Sequence, residues 1–276
     1  VSSQDAPVAD GNSEKAVSVD AVICDQDGHG VEQAQWLIKE RPVTLYLNDH
    51  ELVTLLCTGH HLDELAVGFL KAEGFLEGRE DLEDLRVDQE AGRVDVKSRL
   101  DTSLVERLWQ KRTVTSGCGK GTVFYHALDS LLSQPVVSAL QLTPAQVWNR
   151  MQDLHHLSST YRTTHGVHNT ALATADEIVL FRDDIGRHNA VDMIIGHCFL
   201  HHLPLADKLL ITTGRLTSEI LIKSAKVGIP ILVSRNTATT LAVELAKSLN
   251  ITLIGYVRAG KCTVYSGAER VVCSVS

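Results

Sequence analysis

Residues 114–123, VTSGCGKGTV, set one thiol among three glycines, with Lys111, Arg112 and Lys120 near it in sequence. Gly117, Gly119 and Gly121 open backbone conformations closed to other residues and let a large partner come close. Nearby cations favour the thiolate, the form that attacks a disulfide or persulfide sulfur. Cys118 is therefore a candidate nucleophile. A tight loop holding an incidental cysteine explains the same residue types, and the types alone leave both readings open. The other cysteines offer less. Cys24, Cys57 and Cys198 lie in apolar runs and read as small core residues, and Cys262 and Cys273 also read as structural. With no C-x-x-C pair, the chain shows neither a disulfide framework nor a cysteine-rich zinc site, and its thiols fit a reducing cytoplasm.

A second constellation lies in the C-terminal half. Four strand-like runs, at 177–183, 208–213, 230–235 and 251–257, each lead into a loop carrying arginine. These are Arg187, Arg215, Arg235 and Arg258, the last followed by Lys261. Helical patterns follow the first three loops, at 187–201, 216–227 and 237–249. Strands alternating with amphipathic helices imply a largely parallel sheet with helices on its faces. Loops after the carboxyl ends of such strands gather on one edge, and helix N-termini there attract anions. Guanidinium groups brought together repel one another unless an anion sits between them, and phosphates suit them best. The plainer alternative pairs each arginine with Asp183, Asp184 or Glu219. No Walker A or G-x-G-x-x-G pattern occurs. His165, His168 and His188 read as hydrogen-bonding or substrate-contacting residues. No zinc-ligand spacing links them, so no metal is expected. His60-His61, His155-His156 and His201-His202 read as solvated.

The elements that must position these groups begin with β-rich runs at 43–47 and 51–57 around a turn at Asn48-Asp49. A helix is expected over 61–74 with Gly74 as its stop, a hairpin over 85–97, and a short helix over 102–111. Thr143-Pro144-Ala145-Gln146 is a capping-box start for a helix to about His156. The segment around RTTHGVHNTAL, 162–172, reads as a turn region. This gives a disordered lead over 1–17, a smaller N-terminal α+β domain over 18–140 ending in the Cys loop (111–122), and an α/β domain over 141–276.

The chain has 276 residues and a net charge of −8, which argues against binding duplex nucleic acid through bulk charge. It shows no apolar run long enough to span a membrane and no basic-then-apolar signal pattern.

Five segments together carry a resemblance: TSGCGKG, GVHNTAL, DDIGRHNAVD, TTGRLTSEILIKSAKVGIPILVSRNTATTLAVELA and GYVRAGKCTVYSGAER. Over about residues 40–270 the chain resembles the formate dehydrogenase accessory sulfurtransferases, the FdhD family. The resemblance implies a cytoplasmic homodimer with a cytidine-deaminase-like C-terminal domain, an α/β unit whose mixed or parallel sheet carries helices on its faces. It implies a sulfurtransferase that accepts persulfide sulfur from a cysteine desulfurase. The sulfur passes to the molybdenum (or tungsten) bis(molybdopterin guanine dinucleotide) cofactor of formate dehydrogenase. The persulfide residue maps onto Cys118, and the cofactor-contacting segment onto Tyr256, Val257, Arg258, Ala259, Gly260 and Lys261. Pyrophosphates and guanosines of such an acceptor would account for the cationic edge, with Arg187, His188, Arg215 and Arg235 as further contacts. The chain departs from the family's C-G-x-C loop, because Gly121 stands where many relatives have the second cysteine. It also lacks the deaminase H-x-E and P-C-x-x-C set, so deamination does not carry over. The alternatives are a non-catalytic molybdenum-cofactor or nucleotide-binding chaperone in which Cys118 is incidental, and a nucleotide hydrolase or deaminase.

Overall fold

Leu209 and Ile211 alternate with Leu210, and all three are buried, so β11 (Leu209–Thr212) lies inside a sheet covered on both faces. The computed structural model describes residues 15–99, 113–115, 121–123 and 134–273. Its six-stranded sheet also contains β9 (His168–Ala173), β10 (Ile178–Asp184), β12 (Ile231–Ser234), β13 (Thr252–Arg258) and β14 (Lys261–Ser266), in the order β10-β9-β11-β12-β13-β14. The sheet is mixed. β11, β12 and β13 are mutually parallel, whereas β9 is antiparallel to both its neighbours and β14 is antiparallel to β13. Of the mixed or parallel sheet expected from sequence, the mixed form is the one present. The segment whose His165 and His168 read as lying near a turn supplies β9, the second strand from one edge of the sheet. Because β9 opposes both β10 and β11, those two run the same way, and the carboxyl ends of β10, β11, β12 and β13 share one edge.

Helix α2 (Pro144–Leu157) covers one face. Its Val147, Met151 and Leu154 join Ala171, Leu209, Ile211, Ile231, Val233 and Ile254 in one core. It starts as expected: Thr143 Oγ1 accepts from Gln146 N at 3.2 Å, and Gln146 Oε1 accepts from Thr143 N at 2.9 Å. A one-and-a-half-turn helix, α3 (Ser159–Thr164), leads into β9. The other face is covered by α4 (Arg187–Leu200), α5 (Ser218–Lys226) and α6 (Thr240–Ser248), around Leu172, Leu210, Leu232 and Leu253.

The N-terminal part holds a four-stranded sheet ordered β4-β3-β6-β5, from β3 (Arg41–Leu47), β4 (His50–Cys57), β5 (Leu82–Asp88) and β6 (Arg93–Ser98). Asn48 and Asp49 both have positive φ, as a two-residue hairpin turn requires. Helix α1 (Leu62–Glu73) lies over this sheet and ends at Gly74, φ 84°. It also packs directly on α4, so α4 is buried from two sides. Gly68 and Gly196 mark the crossing: a Cβ on Gly68 would lie 1.7 Å from the Asp192 carbonyl oxygen, and one on Gly196 1.9 Å from that of Glu64. Beside the crossing, Arg182 donates to both oxygens of buried Glu64 at 2.5 and 2.6 Å, and His197 Nδ1 lies 2.7 Å from Glu64 Oε1.

A separate two-stranded ribbon, β1 (Ala16–Cys24) with β2 (Gly30–Ile38), precedes this sheet. Its register places Val17, Val19, Ile23, Val31 and Leu37 on one exposed face. Residues 15–17, expected to be disordered with 1–14, are instead ordered: Ala16 and Val17 are in β1 and Lys15 pairs with Asp183 at 2.5 Å. Residues 1–14, the helix expected over 102–111 and Cys118 lie outside the described residues. On either side of Cys118, β7 (Thr113–Thr115) pairs with β8 (Gly121–Val123) in antiparallel register. Among the described residues no helix is long and apolar enough to cross a membrane.

Candidate functional site

The shared edge carries all the predicted cations. Arg187 opens α4 straight after β10, with Gly186 as the N-cap residue. What holds this turn is Asp184, which is fully buried and accepts from Gly186 N (2.9 Å), Asn189 Nδ2 (2.8 Å), Thr58 N (2.8 Å) and Thr58 Oγ1 (3.0 Å). Burial pushes the Asp184 carboxyl up, and the donors around it oppose that shift.

The loops after β11 and β12 differ from the sequence expectation. Helices α5 and α6 start two and three residues later than their apolar patterns suggest. Leu216 N donates to Thr237 O and Thr239 N to Leu216 O, both at 3.0 Å, so the loops are bridged in extended form before either helix turns. This bridge sets the spacing between Arg215 and Arg235. Ser234 Oγ donates to Gly214 O at 2.6 Å, tying the same loops again. A Cβ on Gly214 would sit 3.0 Å from Arg187 Cβ and 3.1 Å from its Cδ, a tight contact. The stem of Arg187 thus lies on the β11–α5 loop.

At the far end of the edge, β13 breaks register with β14 between Gly255 and Arg258. Tyr256 adopts φ 52°, unusual for a bulky residue, and its N donates to Asn236 O at 3.0 Å. Its ring is exposed, and the Arg258 guanidinium lies 4.8 Å from the ring centroid. Ala259 and Gly260 both have positive φ and form the tight turn to Lys261. Val257 turns its side chain into the core, which leaves only its backbone for a ligand.

Arg187 and His188 are half-buried, and Arg215, Arg235, Arg258 and Lys261 are exposed. The acidic partners allowed for them are engaged elsewhere. Asp183 pairs with Lys15, Asp184 takes backbone and amide donors, and Glu219 Oε2 lies 2.7 Å from His188 Nε2. Among the described residues, Arg187, Arg215, Arg235, Arg258 and Lys261 have no carboxylate partner. The edge has the chemistry of an anion site, with an exposed aromatic ring at one end.

His168, read from sequence as a hydrogen-bonding or substrate-contacting residue, is brought to this site by β9. Burial, then the positive charge of Arg187, His188 and Arg215, holds its imidazole below the ordinary value. Folding accordingly loses stability as pH falls below the ordinary imidazole range, where the unfolded chain takes up this proton first. Imidazole NMR should show His168 titrating below 6.5, and Arg187→Met should move it upward. A titration unmoved by that substitution would separate His168 from the cations.

The thiols sort by environment. Cys57 and Cys198 are buried as expected, and burial pushes both up to about 12. Burial also raises Cys262. Cys24 and Cys273 are exposed, contrary to the core and structural roles expected of them, because one lies on the ribbon and the other beyond the last core contact at Val271. Among the described residues no cluster of His, Cys, Asp and Glu has the makings of a metal site.

A mixed-sheet α/β protein with an unneutralised cationic edge defines a class of anion-handling proteins. Comparison with known proteins narrows it: residues 38–272 match the FdhD/NarQ family, and the chain belongs to that family. It is 40% identical over 235 residues to the sulfur carrier protein FdhD of Bacillus subtilis (strain 168), covering 85% of this chain and 90% of that protein. It is 38% identical over 251 residues to the FdhD sulfur carrier of Staphylococcus haemolyticus (strain JCSC1435), covering 91% of this chain and 95% of that protein. The crystal structure of a formate dehydrogenase accessory protein from Desulfotalea psychrophila superposes with a TM-score of 0.76 at 25% identity, covering 94% of this chain and all of that one.

Proposed function

We propose that this chain is a cytoplasmic sulfurtransferase that serves formate dehydrogenase. Cys118 receives a sulfane sulfur from a cysteine desulfurase persulfide. Its thiolate attacks the outer sulfur, one S–S bond forms, the donor's S–S bond breaks, and the donor leaves as a thiolate. The acceptor is the molybdenum or tungsten bis(molybdopterin guanine dinucleotide) cofactor, written here as substrate. Its phosphates lie along Arg187, His188, Arg215, Arg235, Arg258 and Lys261, and a planar ring rests on Tyr256. The Cys118 S–S bond then breaks, the outer sulfur passes to this acceptor at the sulfide level, Cys118 is left as a thiolate, and the two electrons come from a thiol reductant that is oxidised to its disulfide. The protein works as a homodimer. Residues 18–140 and 141–276 are its two units, the second cytidine-deaminase-like, and the separate four- and six-stranded sheets support the division.

One observation carries this reading: a line of cations with no carboxylate partner among the described residues, in a chain whose relatives are named sulfur carriers. Buried orphan donors at the edge, Asn169 Nδ2 and Arg187 Nε, fit an oxygen-rich acceptor. A single loop cysteine suffices for carriage, since one sulfane sulfur moves at a time.

The test is peptide mass mapping after incubation with a cysteine desulfurase and cysteine. The expected result is a gain of about 32 Da, one sulfur, on the peptide containing Cys118. Peptides with Cys57 and Cys198 should stay unmodified, because so few of those thiols are ionised. An adduct confined to other cysteines, or none, overturns the carrier role and leaves the edge as that of a cofactor-binding chaperone.

A further inference from the structure

We propose that the β1–β2 ribbon is the arm through which two copies of this chain associate, packed face to face with the root of each ribbon over the turn of the other. The inference rests on the homodimer named above and adds where the two copies meet.

The ribbon is anchored at its root. Ala16 is buried, Lys39 N donates to Lys15 O at 2.8 Å, and Lys15 Nζ donates to buried Asp183 Oδ1 at 2.5 Å. Ile38 sits against Gly166, where a Cβ would lie 2.8 Å from Ile38 Cγ2. Beyond the root most residues of both strands are exposed. A two-stranded ribbon alone in water is marginal and needs a further strand or layer to be stable. Yet this one is regular. Its register runs unbroken from Ala16–Ile38 to Cys24–Gly30, and Asp25 Oδ1 closes the turn by accepting from Asp27 N and His29 N, both at 2.9 Å.

Its two faces differ in charge. Residues 16–38 contain four acids and no lysine or arginine. Asp20 and Glu32 point to one side of the ribbon, and Asp25 and Asp27 lie in the turn. The opposite side, which bears Val17, Val19, Ile23, Val31 and Leu37, therefore carries no charged residue on either strand. Those five aliphatic side chains are between 41% and 65% exposed.

This distribution selects a second copy as the occupant. A two-fold interface sets a patch against itself, so every charge on it meets its own kind. The apolar side is the part of the ribbon where no such repulsion arises, although each chain carries a net charge of −8. Charge also sets the direction. With the ribbons antiparallel, the acidic turn of one copy comes over the root of the other, where the chain continues through Lys39, Glu40 and Arg41 with a net positive charge. Turn over turn would bring Asp25 and Asp27 onto their own counterparts.

The area is sufficient for a specific contact. Each strand spans about 30 Å, and facing sheets pack about 10 Å apart. Five aliphatic side chains, each about half exposed, offer roughly 400 Å² of apolar surface per copy, the size of a functional patch. With Gln33, Gln35 and the neighbouring backbone included, two copies bury on the order of 1,000 Å², where specific interfaces begin.

The experiment is sedimentation velocity of the full chain at micromolar concentration, with Val19→Lys, Val19→Glu and an equimolar mixture of the two variants. The parent chain is expected to be a dimer. Each variant alone sets like charges against each other and should raise the dimer dissociation constant by at least about a hundredfold. The mixture should recover a dimer holding one copy of each, which an unfolded variant would not do. Val87→Lys is the control: Val87 is as exposed as Val19 but lies on β5, and its variant should stay within about twofold of the parent. A parent dimer unmoved by both Val19 variants, or variants that dissociate without recovery in the mixture, overturns the ribbon interface and leaves the homodimer reading standing. A monomeric parent overturns both. If that monomer binds a cysteine desulfurase and Val19→Glu abolishes the binding, the face belongs to a different protein. Sulfur transfer to Cys118 is read separately, by the peptide mass mapping above.

Discussion

Gly68→Ala is expected to leave little folded protein, although alanine is the better helix former. In an exposed helix the substitution would gain about 1 kcal/mol. At the α1–α4 crossing the new methyl carbon would fall 1.7 Å from the Asp192 carbonyl oxygen, 2.5 Å from its carbon and 2.8 Å from Gly196 N. All three are backbone atoms of a buried helix, so no side-chain rotation relieves the overlap. The helices must separate, and their connections do not stretch. The Glu64–Arg182 pair and the Asn189 Nδ2 bond to Leu56 O (2.8 Å) both bridge the same interface. Overpacking alone costs about 1–3 kcal/mol, and loss of a buried ion pair adds about 3–5 kcal/mol. Either much reduced soluble yield or a melting temperature lowered by about 10 °C or more is the expected result. Gly196→Ala should behave alike, its Cβ meeting Glu64 O at 1.9 Å. A variant melting within a few degrees of the parent would mean that this crossing is looser than drawn.

Neither glycine announces this role in the sequence, because the reason lies in a neighbouring helix more than a hundred residues away. Local signals were legible where the physics is local. The Thr143 capping box, the Gly74 stop and the Asn48-Asp49 turn each follow from one residue's own conformational preferences, and each stands where expected. The convergence of four arginine loops was legible as well, since β10 to β13 run in one direction. Which strands run antiparallel was not. β9 reads HNTALA, small residues with weak strand preference, and its extended form comes from ladders to β10 and β11. With β9 unseen, His168 and Asn169 could not be placed beside Arg187. The β1–β2 ribbon does carry an alternating pattern over Val17, Val19, Ala21 and Ile23, closed by a turn around Gly28. It was hidden by the polar lead before it rather than by weak chemistry.

The last expectation concerns what lies beneath His188 and Glu219. One helical turn further along α4 sits Asp192, and one turn along α5 sits Lys223. Lys223 Nζ donates to both carboxylate oxygens of Asp192 at 2.7 Å and lies 3.9 Å from Glu73 Oε1 at the end of α1. Three helices meet on this ammonium group. Burial alone would lower the lysine, but Asp192 and Glu73 outweigh it and the net direction is upward, so Lys223 stays charged. Burial works the other way on Asp192, pushing its carboxyl up against the pull of Lys223. Lys223→Met keeps the stem and removes the charge, leaving Asp192 buried without its partner. Breaking one side of such a pair costs about 3–5 kcal/mol, or a fall of about 10 °C in melting temperature. The double substitution Asp192→Leu with Lys223→Met should recover most of that loss, because the penalty comes from the stranded carboxylate rather than from the missing attraction. Thermal melts of the two variants decide the point: a double variant no more stable than the single would place the cost in lost packing around Phe69, whose ring lies 5.6 Å from the lysine nitrogen.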